Sequence, residues 1–126
     1  MASKPKRIRI EQDSMGEMEV PSFALYGATT QRAVLNFPIS GRPIPISIIY
    51  AFALLKRSAA IANTKLKLLD TYQSGLIVNA CDEVMAALDD PHRVSGMMIH
   101  FPIDVFQTGS GTSTNMNMNE VLSNIA

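Results

Sequence analysis

The sequence holds a single cysteine, Cys81, so no disulfide can close within the chain, and a reducing compartment such as the cytoplasm is the expected setting. Net charge is missing too. Eleven basic side chains balance eleven acidic ones, which removes the global electrostatic reason to expect nucleic acid or a membrane surface as a partner. There is no long hydrophobic run. The most apolar stretch, Ile44 to Leu55, is interrupted by Pro45 and Ser47 and stops at Lys56 and Arg57, short of the ~18 residues of a membrane span. No membrane is therefore expected, and the chain reads as soluble. The start, MASKPKRIRIEQDS, carries Lys4, Lys6, Arg7 and Arg9 but no apolar core before Glu11 and Asp13, which argues against a secretory signal. Its basic residues are expected to form a solvated tail. Repeats, low-complexity tracts, a phosphate loop, a dinucleotide fingerprint and a nucleophile elbow are all absent. His92 and His100 have no partners at ligand spacing, so neither makes a metal site.

What is present fits one domain, residues 1–126, of mainly α class. Residues 1–45 are punctuated by Gly16, Pro21, Gly27, Pro38, Gly41, Pro43 and Pro45 and read as a loop-rich arm. Two alternating pieces, Arg7 to Ile10 and Glu17 to Val20, can pair as a short β ribbon with its turn near Ser14 to Gly16. TTQRAVLNF suits a short helix ended by Pro38. From Pro45 onward the period predicts a helix with Ile48, Ile49, Phe52, Leu55, Ala59 and Ala62 on its packed stripe and Ser47 as cap. A second helix, capped by Asp70 or Thr71, repeats Leu76, Ile77, Ala80, Val84, Ala87 and Leu88 and closes at Pro91, so the two form a helical hairpin. Cys81 and Met85 read as core there, as does Met116 further on. Asp90 to Gly111 reads as loop. A third helix is expected from near Thr114, capped from Thr112 to Thr114, with Met118, Val121, Leu122 and Ile125 on one face; no Gly or Pro stop precedes Ala126, so it reads as truncated.

The chemistry concentrates in Ser110 to Glu120, SGTSTNMNMNE. A loop of Gly, Ser and Thr that opens a helix presents free backbone N–H groups at the positive end of a dipole, which favours an anion. Ser110 and Thr112 add hydroxyl donors, and Gly109 and Gly111 allow close backbone approach. Each hydrogen bond to a charged group contributes about 1.5–3 kcal/mol, so several could hold a carboxylate without a local Arg or Lys, with the counter-charge coming from elsewhere. A capped loop with no ligand remains the plain alternative. Asn115, Asn117 and Asn119 lie around a helix whose Met residues are equally distributed, which implies protein on most sides and partners for the amides.

The run QTGSGTSTNMNMNEVLSNIA, Gln107 to Ala126, closely resembles the first signature region of the fumarase/aspartase superfamily, and QTGSGT followed by NMNMNE is similar to the class II fumarase form. RIEQDSMGEMEVP, LYGATTQRAVLNFPIS and FPIDVFQ resemble the same family, so the likeness covers nearly the whole chain. Aspartases resemble the arm as well but approach the helix through Gly-Ala-Gly-Thr, and Ser110 favours fumarase over that alternative. Ile99-His100 and Pro91 to Met98 depart from the family pattern. The resemblance implies a hydro-lyase of the tricarboxylic acid cycle that interconverts fumarate and L-malate with no metal or organic cofactor. It implies that Ser110, Gly111 and Thr112 bind a substrate carboxylate, with Thr108 and Asn115 as secondary contacts. It also implies a longer chain whose central helical bundle forms a homotetramer, with active sites shared between subunits. The regions that carry the family's histidine, serine base and lysine are not in these 126 residues, so the chain alone is expected to be inactive. The other class of reading is a non-catalytic module that associates through exposed apolar helix faces.

Overall fold

The computed structural model describes residues 7–126; Lys4 and Lys6 of the basic tail lie outside them. The arm begins as the expected ribbon. Strand β1 (Ile8–Asp13) pairs antiparallel with β2 (Gly16–Pro21), Arg9 facing Val20 and Asp13 facing Gly16. Ser14 and Met15 make the turn; the Asp13 carboxylate accepts the Met15 N–H at 2.8 Å, and Gly16 takes a φ of 116° that a Cβ would resist. Arg9 corrects the expectation of a solvated basic tail. Its guanidinium donates to the carbonyls of Pro21, Ala24 and Tyr26 at 3.0, 2.6 and 2.7 Å, gathering the chain that leaves β2. Five donors in a planar fork make Arg suited to several oxygens at once.

Helix α1 (Ala28–Asn36) follows and stops before Pro38, as its sequence predicts. Arg32 ties it back to β1 through the Asp13 carboxylate at 2.9 and 3.1 Å. Helix α2 (Ile46–Lys65) starts one residue before Ser47, with Pro45 at the cap position, so Ser47 does not cap it. Pro is well placed there because its missing N–H would have had no helical partner. The predicted stripe also needs correction. Ile49 is 1% exposed and Ala53 and Ala60 are buried, whereas Ile48 and Leu55 are 45% and 63% exposed and Ala59 and Ala62 face out. The helix is apolar on nearly every side, so periodicity could not choose its inner face. By length and composition α2 could cross a membrane, yet Lys56 and Arg57 stand at its middle and both bond to other helices.

Lys67 ends α2 in the left-handed region at φ 60°; the N–H groups of Lys67 and Leu68 donate to Thr64 and Asn63 carbonyls, a reversal usually given to glycine. Asp70 then caps α3 (Thr71–Asp89), accepting the Gln73 N–H at 3.0 Å. Ala80, Cys81, Val84, Met85, Ala87 and Leu88 form its buried face. With small residues at Ala53, Ala60 and Ala80, α2 and α3 make the largest interhelical contact, and Arg57 donates across it to Asp82 at 2.7 Å. The segment after Pro91, expected as loop, contains a short helix α4 (Val94–Met98) that buries Met97. Helix α5 (Thr112–Ile125) begins two residues earlier than expected and buries Met118, Val121 and Leu122, while Met116 is only half-buried and not core. Phe101, Ile103, Met118 and Val20 are at most 1% exposed, and each such side chain contributes about 1.5–3 kcal/mol of burial. They join the ribbon, the hairpin and α5 in one core.

Candidate functional site

The residues singled out for carboxylate binding lie on one tight turn and the helix it opens. The Gly111 N–H donates to the Thr108 carbonyl at 3.1 Å, and Gly111 itself sits in the left-handed region at φ 72°. A side chain here would be strained, so this turn needs glycine. Thr108 and Ser110 are exposed with their hydroxyl oxygens 3.4 Å apart, and Thr112 is exposed at the first helical position. The backbone N–H groups of Thr112 and Ser113 have no partner among the described residues. About half a unit of positive charge collects at such a helix start.

The expected caps from Thr112 to Thr114 are corrected by Gln107. Its Oε1 accepts the Thr114 N–H at 3.0 Å, and its Nε2 donates to the Thr114 hydroxyl. Because the cap comes from ahead of the turn, the N–H groups before Thr114 stay available. One turn into α5, Asn115 is half-buried, and its Oδ1 accepts a hydrogen bond from Lys56 Nζ at 2.6 Å.

Two polar clusters hold this turn in place. On one side, buried Asp104 accepts the N–H groups of Ser40, Gly41 and Phe106 at 2.7, 2.8 and 2.9 Å, together with the Ser40 hydroxyl at 3.0 Å. The Phe106 N–H, followed by those of Ser40 and Gly41, outweighs burial and holds the carboxyl down to about 2. Val105 donates to the Arg42 carbonyl at 2.9 Å beside it. On the other side, α5 is pinned to α1. Glu120 Oε1 accepts the Thr30 N–H at 2.8 Å and the Thr30 hydroxyl at 3.0 Å, so α5 caps the start of α1 from 90 positions away. Burial raises the Glu120 carboxyl above its ordinary range, and the bonds from Thr30 and Gly27 partly offset this. A Cβ on Gly27 would meet Glu120 Oε2, so a larger residue here would displace the Glu120 carboxylate from its place beside Thr30. Asn117, 1% exposed, donates to the His100 carbonyl at 2.9 Å, and Asn124 donates to the Leu25 carbonyl at 2.6 Å. His100 Nδ1 accepts the Leu25 N–H at 3.1 Å, and burial lowers its pKa.

A polar cleft of about 330 Å³ lies beside Glu120, lined by Glu11, Asp13, Gly27, Asn119 and Asn124 among others; it does not include the Thr108–Thr112 turn. No group of three or more His, Cys, Asp or Glu side chains placed to hold a metal occurs among the described residues.

Residues 16–126 match a protein-family model described as lyase. The chain belongs to this lyase family. It is 50% identical over 121 residues to a class II fumarate hydratase of Prochlorococcus marinus subsp. pastoris, covering 96% of this chain and 24% of that protein. It is likewise 50% identical over 118 residues to a protein of Pseudomonas aeruginosa named fumarate hydratase class II 2, covering 94% of this chain and 24% of that one. The crystal structure of a recombinant class II fumarase from Schistosoma mansoni superposes with a TM-score of 0.82 at 42% identity, over 93% of this chain and 23% of the other. The resemblance read from QTGSGTSTNMNMNE is therefore matched along nearly the whole chain, and these relatives carry fumarase names. The chain spans about a quarter of the length of the relatives it matches.

Set against that family, Ser110, Gly111, Thr112 and Thr108 are brought together by a single turn, with Asn115 one turn beyond. Four groups that shape the candidate site escaped the reading of the sequence. Lys56 carried a weak signal, one of two adjacent cations in the middle of a largely apolar helix. Gln107, Asp104 and Glu120 carried none, because what they do depends on partners that only the fold brings near.

Proposed function

We propose that this chain supplies the N-terminal, carboxylate-binding part of a hydro-lyase interconverting fumarate and L-malate. The observation that carries it is the pair of partnerless N–H groups at Thr112 and Ser113, flanked by the hydroxyls of Ser110 and Thr112 and held open by Gly111. Family membership and the fumarate hydratase names of the relatives support the substrate. Ser110, Gly111 and Thr112 then hold one carboxylate of the dicarboxylate, with Thr108 and Asn115 at the margin. Taking a proton from the carbon beside a carboxylate moves negative charge onto its oxygens. Donors already aimed there stabilise that charge without reorganising, which lowers the barrier. The same groups bind the substrate and favour the transition state. On this reading residues 1–126, one domain, act together with the parts of such a lyase that they do not span, within a cytoplasmic homo-oligomer, a tetramer.

The test is a chimaera in which this chain replaces the matching quarter of the Pseudomonas aeruginosa relative. It is expected to hydrate fumarate, and Thr112→Val is expected to lower kcat/KM about a hundredfold, the usual effect of losing one oxyanion donor. A folded chimaera without turnover, or one in which Thr112→Val leaves the kinetics unchanged, would sink this reading.

A further inference from the structure

The turn at Ser110–Thr112 has only neutral donors, so a bound dianion would lack a compensating charge there. The fold brings one in. Lys56 lies on α2, 59 positions before Asn115, and reaches across to donate to Asn115 Oδ1 at 2.6 Å. Its ammonium has no carboxylate partner: the ion pairs among the described residues all use arginine, Arg9 with Glu11, Arg32 with Asp13 and Arg57 with Asp82. The side chain is half-buried. A lysine partly withdrawn from water and bonded to a neutral amide keeps its positive charge uncompensated, an arrangement that favours an anion nearby. The Asn115 N–H donates to the Gly111 carbonyl at 3.3 Å, which puts the Asn115 backbone about one helical turn, ~5 Å along the axis, into α5, and the ammonium sits at the end of that residue's side chain. With its oxygen turned to Lys56, the Asn115 carboxamide has its NH2 group on the other side, where no partner exists among the described residues.

We propose that Lys56 is a positioning residue of the carboxylate site: it orients the Asn115 carboxamide so that its NH2 is a free donor, and it lays a positive field over Ser110–Thr112. The inference rests on the carboxylate-binding reading above. Neighbouring Arg57 cannot take over, because it is held by Asp82 at 2.7 Å on the α3 side.

The experiment compares Lys56→Met, Lys56→Arg and Thr112→Val in the same chimaera. Lys56→Met is expected to raise KM for fumarate about tenfold with a smaller change in kcat. Lys56→Arg should recover much of that loss, and added salt should narrow the gap between parent and Lys56→Met, because the effect is partly a screened charge. A scaffold role would instead move kcat and KM together, without salt dependence. An unchanged KM for Lys56→Met beside an impaired Thr112→Val overturns the Lys56 inference and leaves the carboxylate site standing. No effect from either removes both. If the Lys56→Met chimaera fails to assemble, nuclear magnetic resonance of the 126-residue chain decides. The Asn115 carboxamide protons should shift in Lys56→Met while the backbone of α2 and α5 keeps its positions, and carboxamide signals that stay in place overturn the proposal.

Discussion

Two Ser-Gly pairs in this chain have nearly the same backbone and opposite situations. Gly41 and Gly111 both sit in the left-handed region, at φ 70° and 72°, each behind a serine. Around Ser40-Gly41 every available donor points at the carboxylate of Asp104: two backbone N–H groups and one hydroxyl. Around Ser110-Gly111 no carboxylate among the described residues accepts a bond; the Gly111 N–H closes its own turn, and the donors left over include the hydroxyls and the N–H groups of Ser110, Thr112 and Ser113. The first pair shows what such a turn does when an acid is supplied from inside the fold. The second has the same vocabulary with the acid missing, and the proposed carboxylate site rests on that difference. Polar groups satisfied by the chain stabilise it, and those left open recognise something else.

The contrast can be broken most forcefully from underneath. Phe101, 1% exposed, is part of the core that carries both turns. Phe101→Ala should cost about 3–5 kcal/mol of stability, read as a fall in the urea midpoint, and should damage both turns together. Gln107→Ala separates them. It removes the cap of α5 at a cost of about 1 kcal/mol, and it should loosen the Thr108–Thr112 turn in hydrogen exchange while the amides of Ser40 and Gly41 remain protected. The smallest effect is the response to acid. Asp104 is held at about 2 in the folded chain, below the ~3.9 of an unfolded Asp. Its contribution is therefore complete above pH ~4 and is lost as pH falls toward 2. His100 is lowered by burial, and its Nδ1 must be unprotonated to accept the Leu25 N–H. Its contribution is complete above the ~6.5 of an unfolded His and declines as pH falls below that. Acid titration of stability should thus show two limbs, and His100→Asn, which keeps an acceptor, should flatten only the upper one.

Much of this was legible in the residues themselves. The α3 stripe from Ala80 to Leu88, the Asp70 cap, the ribbon and the inner face of α5 follow from spacing within one element, and local spacing is what a sequence displays. The hydroxyl turn at Ser110–Thr112 was legible for the same reason. The inner face of α2 was not, since Ile48, Ile49, Leu54 and Leu55 offer two apolar sides and only the approach of α3 and α5 selects between them. Arg9 looked like one more charge of a basic tail because its three carbonyl partners lie 12 to 17 positions ahead. Gln107 and Glu120 cap helices from outside the positions where caps are sought. Lys56 serves α5 from another helix. The unreadable part of the site is the part made by contact between elements.

The arm's attachments set an order of assembly. Leu25 waits for His100 and for Asn124, 75 and 99 positions later, and Thr30 waits for Glu120, 90 positions later. A chain emerging from the ribosome therefore exposes Leu25 and Thr30 early and can complete their bonds only after α5 has left the exit tunnel. Within residues 7–126 the ribbon is made early and tied down late, and through that interval its edge is open to any other nascent chain nearby.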